Sequence, residues 1–261
     1  MSTFLTEIIE LKKKRLKIAK AARDFNELKS AAFAKRETAK NYRLRENLQR
    51  DQINIIAEIK RASPSKGIIN DKIDVAETAR NYESGGACAI SVLTEEDKFC
   101  GSLNDLIMAR TVVNVPILRK DFIYDEFQIY EAAAAGADVV LLIAAMLNDY
   151  TLGKLHILAE QDLGLDVLVE VHTLEELERV KSIGAKIIGI NNRDLHSFKV
   201  SLDVSRELIK FAPKDALMIS ESGISEREDL HELKKLGFSG FLIGESLMRS
   251  GNQAEMLEKL Q

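Results

Sequence analysis

Short apolar runs rich in β-branched residues recur along the chain, and each gives way to a stretch with helical spacing. The runs are INIIAEIK (53–60), ACAISVLT (87–94), VPILRKDF (115–122), ADVVLLIA (137–144), DVLVEV (166–171), KIIGINNR (186–193), ALMISESG (216–223) and GFLIGESL (240–247). They return roughly every 27 residues, the length that one strand, one helix and two short loops need. Helical patterns lie between them, as at 75–86, 126–137 and 174–185. Gly86, Gly136, Gly184 and Gly237 stand just before the next strand, where helix C-caps belong. The strand runs are nearly continuous in apolar residues, which fits a parallel sheet covered on both faces. Eight such units predict an α/β fold, a single (β/α)8 TIM barrel. A doubly wound open sheet is the alternative. No G-x-G-x-x-G follows the first run, so a dinucleotide site has no support.

Residues 1–48 precede the first strand and read as an N-terminal extension of one or two helices, with the barrel domain at 49–261. This extension is placed either under the barrel bottom or over its mouth. Its basic run KKKRLKIAK (12–20) reads as the solvated face of a helix whose apolar stripe is Leu5, Ile8, Ile9, Leu11, Leu16 and Ile18.

The net charge of −4 argues against a nucleic-acid or anionic-membrane partner. The 261 residues are 46% hydrophobic, enough for a sizeable core. The run VVLLIAAML (139–147) is too short to span a bilayer, and the N-terminus lacks the apolar core of a signal peptide. A cytoplasmic protein is expected, with Cys88 and Cys100 unpaired. His156, His172, His196 and His231 show no metal-ligand spacing and are expected at the surface or at loop ends.

In a TIM barrel, chemistry gathers at the C-terminal strand ends. Those ends carry Glu58 and Lys60, Lys120, Glu170, Asn191 and Arg193, and Glu221 and Ser222. Residues two apart share a strand face. Glu58 and Lys60 therefore point the same way, and Leu168 lies below Glu170. Charges at so many strand ends would be costly unless used. The last two strands end in ESGIS and IGES, whose small residues leave backbone N–H groups open for a phosphate. Ser63 offers a hydroxyl nearby. Phe99 and Phe122 stand near the same rim, as core residues or as a ligand platform.

The stretch IIAEIKRASPSKG (55–67) closely resembles the signature of indole-3-glycerol-phosphate synthases of tryptophan biosynthesis. So do SVLTEEDKFCGS, PILRKDFIYDEFQIYEA, LVEVHT, IGINNRDL, SESGIS and FLIGESLM, in the family's order over nearly all of 53–250. Residues 1–48 match loosely: Leu44 and Asn47 stand where the family often has Phe and Ala, and Cys100 where it often has Gly or Gln. The chain ends near the eighth unit, so the resemblance implies a monofunctional enzyme.

That resemblance implies the substrate 1-(2-carboxyphenylamino)-1-deoxyribulose 5-phosphate, closed to indole-3-glycerol phosphate with loss of CO2 and water. It implies no metal and no organic cofactor. The sequence demands no second chain, so a monomer is compatible. By motif, Lys120 is the acid for ring closure, and Lys60 and Glu170 share the dehydration, with Glu58 holding Lys60. Asn191, Arg193, Glu221 and Ser222 order the substrate. Ser63, Gly223, Gly244 and Glu245 place the phosphate, the last through backbone N–H. Phe99, Phe122 and Leu141 line the anthranilate slot. The chemistry is consistent with these types: a polyanion needs cations and N–H groups, and a ketone under attack needs a positioned acid.

Three rivals remain at this level. Phosphoribosylanthranilate isomerase chemistry pairs a Cys with an Asp, but Cys88 begins a strand. A Schiff-base aldolase would use Lys120. A non-catalytic phosphate-binding scaffold would not need the charged strand ends.

Overall fold

The computed structural model describes residues 3–261. Eight parallel strands close into a barrel in chain order: β1 (Ile55–Ile59), β2 (Ala89–Leu93), β3 (Ile117–Lys120), β4 (Val139–Ile143), β5 (Asp166–Val171), β6 (Ile187–Asn191), β7 (Leu217–Glu221) and β8 (Gly240–Ile243). Each pairs with the next, and β8 returns to β1. Every predicted run holds a strand. The run 240–247 runs furthest past its strand's C-terminal end, because Glu245 already opens a helix. A two-residue ladder, Ala62–Ser63 against Gly67–Ile68, folds the loop after β1 into a small hairpin.

Helices α4 (Val75–Ser84), α5 (Leu103–Val112), α6 (Glu126–Ala135), α7 (Asp149–Ile157), α8 (Leu174–Ser182), α9 (Asp203–Leu208), α10 (Arg227–Leu236), α11 (Glu245–Arg249) and α12 (Gln253–Leu260) follow the strands. Their starts are capped by side chains that accept first-turn N–H groups, among them Asp74, Ser102, Asp125, Asn148 and Thr173. The four glycines expected as C-caps all have positive φ, which a side chain would strain.

Before the barrel come α1 (Thr3–Ala22), α2 (Phe25–Glu37) and α3 (Arg43–Leu48), and they serve both ends of it. α1 crosses the mouth. Lys12 Nζ reaches Asp121 at 2.8 Å and Glu96 at 3.2 Å, in the loops after β3 and β2, and Lys20 reaches Asp125. α2 runs down the side against α6, with Phe25 stacked on Phe127. α3 closes the bottom. The Asp166 carboxylate, at the start of β5, accepts the N–H groups of Leu44 (2.8 Å) and Arg45 (3.1 Å). Asn47 donates to the carbonyl of Cys88 at 2.7 Å, and Leu48 packs where a Cβ on Gly240 would lie.

The basic run keeps its expected solvated face at Lys13, Lys14, Arg15, Lys17 and Lys20 and departs from it at Lys12. Lys12 is 4% exposed, while Ile18, expected in the apolar stripe, is 67% exposed. Two carboxylates outweigh the cost of burying that ammonium and raise its pKa. The acidic loops, not the apolar stripe alone, set which side of α1 faces inward. His156 is likewise buried, against the expectation of a surface position, and burial lowers its pKa.

Candidate active site

A cavity of about 660 Å³ opens at the C-terminal ends of the strands. Every residue singled out from the sequence lines it: Glu58, Lys60, Ser63, Phe99, Lys120, Phe122, Leu141, Glu170, Asn191, Arg193, Glu221, Ser222, Gly223, Gly244 and Glu245.

At its floor, Lys120 Nζ stands 3.4 Å from Glu170 Oε2 and 3.5 Å from Glu221 Oε2. Burial works against the ammonium, but Glu170, Glu221 and Glu58 outweigh it and hold the Lys120 pKa above its ordinary value. The two glutamates diverge. Burial would raise Glu170, yet Lys120, His172 and Asn191 together bring it down to about 2. Burial raises Glu221 and Lys120 opposes this, but the negative charges of Glu170 and Glu58 leave it pushed up to about 8. Neither Glu221 oxygen has a hydrogen-bond partner among the described residues.

Beside this group, Glu58 Oε1 meets Lys60 Nζ at 2.6 Å. Both sit on the inward face of the β1 end, as the two-residue spacing requires. Gly244 leaves the space for Glu58: a Cβ there would overlap the Glu58 carboxylate. This glycine thus serves the carboxylate as well as any phosphate.

The β6 and β7 ends form a polar rim. Asn191 Oδ1 accepts the Arg193 N–H at 3.0 Å. Arg193 Nη1 reaches across the mouth to Ser65 Oγ and the Phe198 carbonyl, each at 3.3 Å. The buried Asn192 amide donates to Ser220 Oγ and to the carbonyls of Glu221 and Ser222. It thereby steadies a turn in which Ser222 holds φ 67° and Gly223 φ 81°. Positive φ at Ser222 is a strained conformation kept at the cavity edge.

Opposite lies an aromatic wall. Phe99 and Phe122 have centroids 6.1 Å apart, and Phe4 of α1 meets Phe122 edge-on at 6.1 Å and Phe198 at 5.4 Å. At the other end are Ser63, Gly223, Gly244 and Glu245. The Glu245 carboxylate is engaged by Arg249 at 3.1 Å, and the residue opens the short helix α11. Ser246 also lines the cavity, and its buried hydroxyl has no partner among the described residues.

Sequence reasoning missed Phe4, Lys12, Asn192, Ser246 and Gly189, where a Cβ would overlap Glu221 Oε1. Only the second Asn of INNR and the small residues of IGES offered a signal. Among the described residues, Glu95, Glu96 and Asp97 lie close enough to converge on a cation. Their oxygens already have partners: Glu95 accepts three backbone N–H groups, Glu96 meets Lys12, and Asp97 meets Arg15.

The indole-3-glycerol phosphate synthase family profile matches residues 5–260. Curated indole-3-glycerol phosphate synthases are similar: that of Carboxydothermus hydrogenoformans is 44% identical, covering 98% of this chain and 99% of its own. That of Desulfosudis oleivorans is 45% identical, covering 100% and 99%. A solved thiamine phosphate pyrophosphorylase from Pyrococcus furiosus is 19% identical, with a TM-score of 0.60 over 83% of this chain and 95% of that one. At that identity it speaks to the fold alone.

Proposed function

The chain belongs to the indole-3-glycerol phosphate synthase family, and we propose that the cavity at its barrel mouth is where the indole ring closes. The enzyme converts 1-(2-carboxyphenylamino)-1-deoxyribulose 5-phosphate to indole-3-glycerol phosphate, releasing CO2 and water. The observation that carries the site assignment is the placement of Lys120 between Glu170 and Glu221, with the Glu58–Lys60 pair beside it.

In ring closure an aryl carbon attacks the ketone, and the ketone oxygen takes a proton as charge develops. Lys120 supplies it. Its raised pKa keeps the ammonium charged, and a developing alkoxide is more basic than an amine, so the transfer runs downhill. The ring carboxylate then leaves as CO2, which restores the aromatic ring. Dehydration needs one proton given to the departing hydroxyl and one removed from the CH2 carbon beside it, while the ring nitrogen pushes the hydroxyl out and ends with its own proton in place. Glu170 and Lys60 share these transfers, with Glu170 ionised and able to accept a proton, Lys60 able to give one, and Glu58 fixing the Lys60 ammonium.

Asn191, Arg193, Glu221 and Ser222 order the substrate around this centre. Phe99, Phe122 and Leu141 receive the anthranilate ring, and the phosphate rests on Ser63 and the N–H groups of Gly223, Gly244 and Glu245. This chemistry routes no step through a metal or organic cofactor. Residues 1–48 act as an extension of the catalytic barrel at 49–261. This chain supplies every catalytic and binding residue that the reading assigns, which is compatible with a monomer. Free Cys88 and Cys100 suit the cytoplasm. Among the described residues, no helix is long and apolar enough to cross a membrane. Incubating the protein with the carboxyphenylamino-deoxyribulose phosphate and following indole fluorescence tests the assignment. Turnover that survives substitution of Lys120 would overturn it.

A further inference from the structure

His172 follows β5, at a loop end as expected, but its side chain is only 11% exposed and wedged between two carboxylates. Nε2 lies 3.3 Å from Glu170 Oε1, an ion-pair contact without hydrogen-bond geometry, and Nδ1 shares a hydrogen bond with Glu176 Oε2 at 3.3 Å. The outer partner is fixed by the start of α8. Thr173 Oγ1 accepts the Glu176 N–H at 3.2 Å, and Glu176 Oε2 accepts the His172 N–H at 2.7 Å. This is a capping arrangement in which the first-turn Glu reaches back one residue further than usual. The imidazole therefore has a rigid anchor on one side and a floor carboxylate on the other.

We infer that His172 is a positioning residue for Glu170, tying its carboxylate to the first turn of α8 and setting a second cation beside it. The inference rests on Glu170 being the dehydration base. Its physical content is an asymmetry. Glu170 and Glu221 flank the same lysine at nearly equal distance, and both are buried. The groups facing them are Lys120 from β3, Glu58 from β1, Asn191 from β6 and His172 with Glu176 beyond it. Lys120 stands between Glu170 and Glu221, while Glu58 has Lys60 as its own partner. The imidazole approaches Glu170 at ion-pair distance, and this separates the two glutamates. Burial works against its charge, but Glu170 and Glu176 outweigh that and push His172 up to about 10. It therefore stays an imidazolium throughout the neutral range, and Glu170 stays ionised.

The test combines a spectroscopic signature with kinetics. Nitrogen NMR of the imidazoles in the whole protein should show His172 protonated well above neutrality. In Glu170→Gln it should titrate lower, towards the ordinary value of about 6.5. His172→Asn keeps a donor towards Glu176 and loses the reach to Glu170, so kcat should fall by roughly tenfold or more while KM moves little. His172→Gln restores a donor at the Nε2 position and should recover part of that loss. In the Glu170→Gln background, His172→Asn should add nothing. A His172 that titrates near the ordinary value in the wild-type protein would overturn the inference. So would an equal loss from His172→Asn in both backgrounds. An active Glu170→Gln enzyme would instead remove the base assignment on which it rests, and the two failures are thereby distinct.

Discussion

Gly189 makes the room that Glu221 occupies. A Cβ on Gly189, in the middle of β6, would overlap Glu221 Oε1 and press on Leu168. The neighbouring strand thus lacks a side chain where the β7 carboxylate turns inward. Gly189→Ala should displace Glu221 and lower kcat/KM by roughly 10²-fold, the cost of about an ångström of misplacement. The barrel should remain by circular dichroism. Wild-type kcat/KM in this variant would show that the position of Glu221 is not demanding.

Glu221 also carries a pH dependence whose sign follows from its raised pKa. Below about 8 the carboxyl is neutral, and above it a negative charge appears beside Glu170 and Glu58. The substrate is a polyanion, so kcat/KM should fall as pH rises through that value. Glu221→Gln should remove this alkaline limb. Stability follows the same proton. Between the ordinary 4.5 and about 8, the folded state holds a proton that the unfolded chain has lost, so this group's contribution declines as pH rises across that window. Glu221→Gln should therefore raise the Tm relative to wild type more at pH 9 than at pH 5, measured by scanning calorimetry.

The strands and the inward-facing set were legible because both are local. A period of two places Glu58 with Lys60, and apolar runs of fixed spacing mark the barrel. Residues whose roles depend on distant partners were not legible. Lys12 sits in a basic run indistinguishable from a solvated face, and only the loop carrying Asp121 makes it a buried ion pair. Gly189 reads as an ordinary weak point in a strand until Glu221 is placed against it. His172 is visible in EVHT, but nothing in that string says that Glu176 will turn back to hold it.

Lys120→Met keeps the length of the side chain and removes the proton donor. We expect kcat to fall by at least about 10²-fold, the usual scale for general acid catalysis. The ammonium is mostly buried rather than at a rim, and it stands between the Glu170 and Glu221 carboxyls, with Glu58 further off. Its loss should raise their pKa values, so the variant should be least stable, relative to wild type, at high pH. Rate and melting profiles across pH 5 to 9 check both points. Substantial ring closure by the variant would remove Lys120 from the acid's role.

Gly244→Val separates two duties of one glycine. If it served the phosphate alone, a branched side chain would raise KM and spare kcat. The contact with Glu58 predicts loss of kcat as well, because the displaced carboxylate no longer holds Lys60. Inorganic phosphate should compete with substrate in the wild-type enzyme. Steady-state kinetics with and without phosphate tell the two apart, and an effect on KM alone would count against the Glu58 contact.

The N-terminal helices allow two truncations with different outcomes. Removing residues 1–23 takes away α1, and with it Phe4 from the cavity wall and Lys12 from Asp121. Asp121 keeps Arg119 at 3.1 Å and the Thr94 hydroxyl at 2.8 Å, so its charge is not left bare. The barrel bottom is untouched. This variant should fold, bind substrate more weakly through the loosened Phe122 wall, and expose the reaction to water. Removing residues 1–48 also takes α3. Leu44 and Leu48, both almost fully buried, then leave the barrel bottom, and the Asp166 carboxylate loses two N–H donors and Arg45. A buried carboxylate without partners and an opened core each cost about 2–5 kcal/mol. The longer truncation should therefore lose stability far beyond the shorter one, while the shorter one accounts for most of the change in KM. Urea unfolding and steady-state kinetics on both proteins measure the contrast. Equal stability of the two would mean that α3 does not hold the barrel bottom, and an unchanged KM in the shorter one would mean that α1 does not shape the mouth.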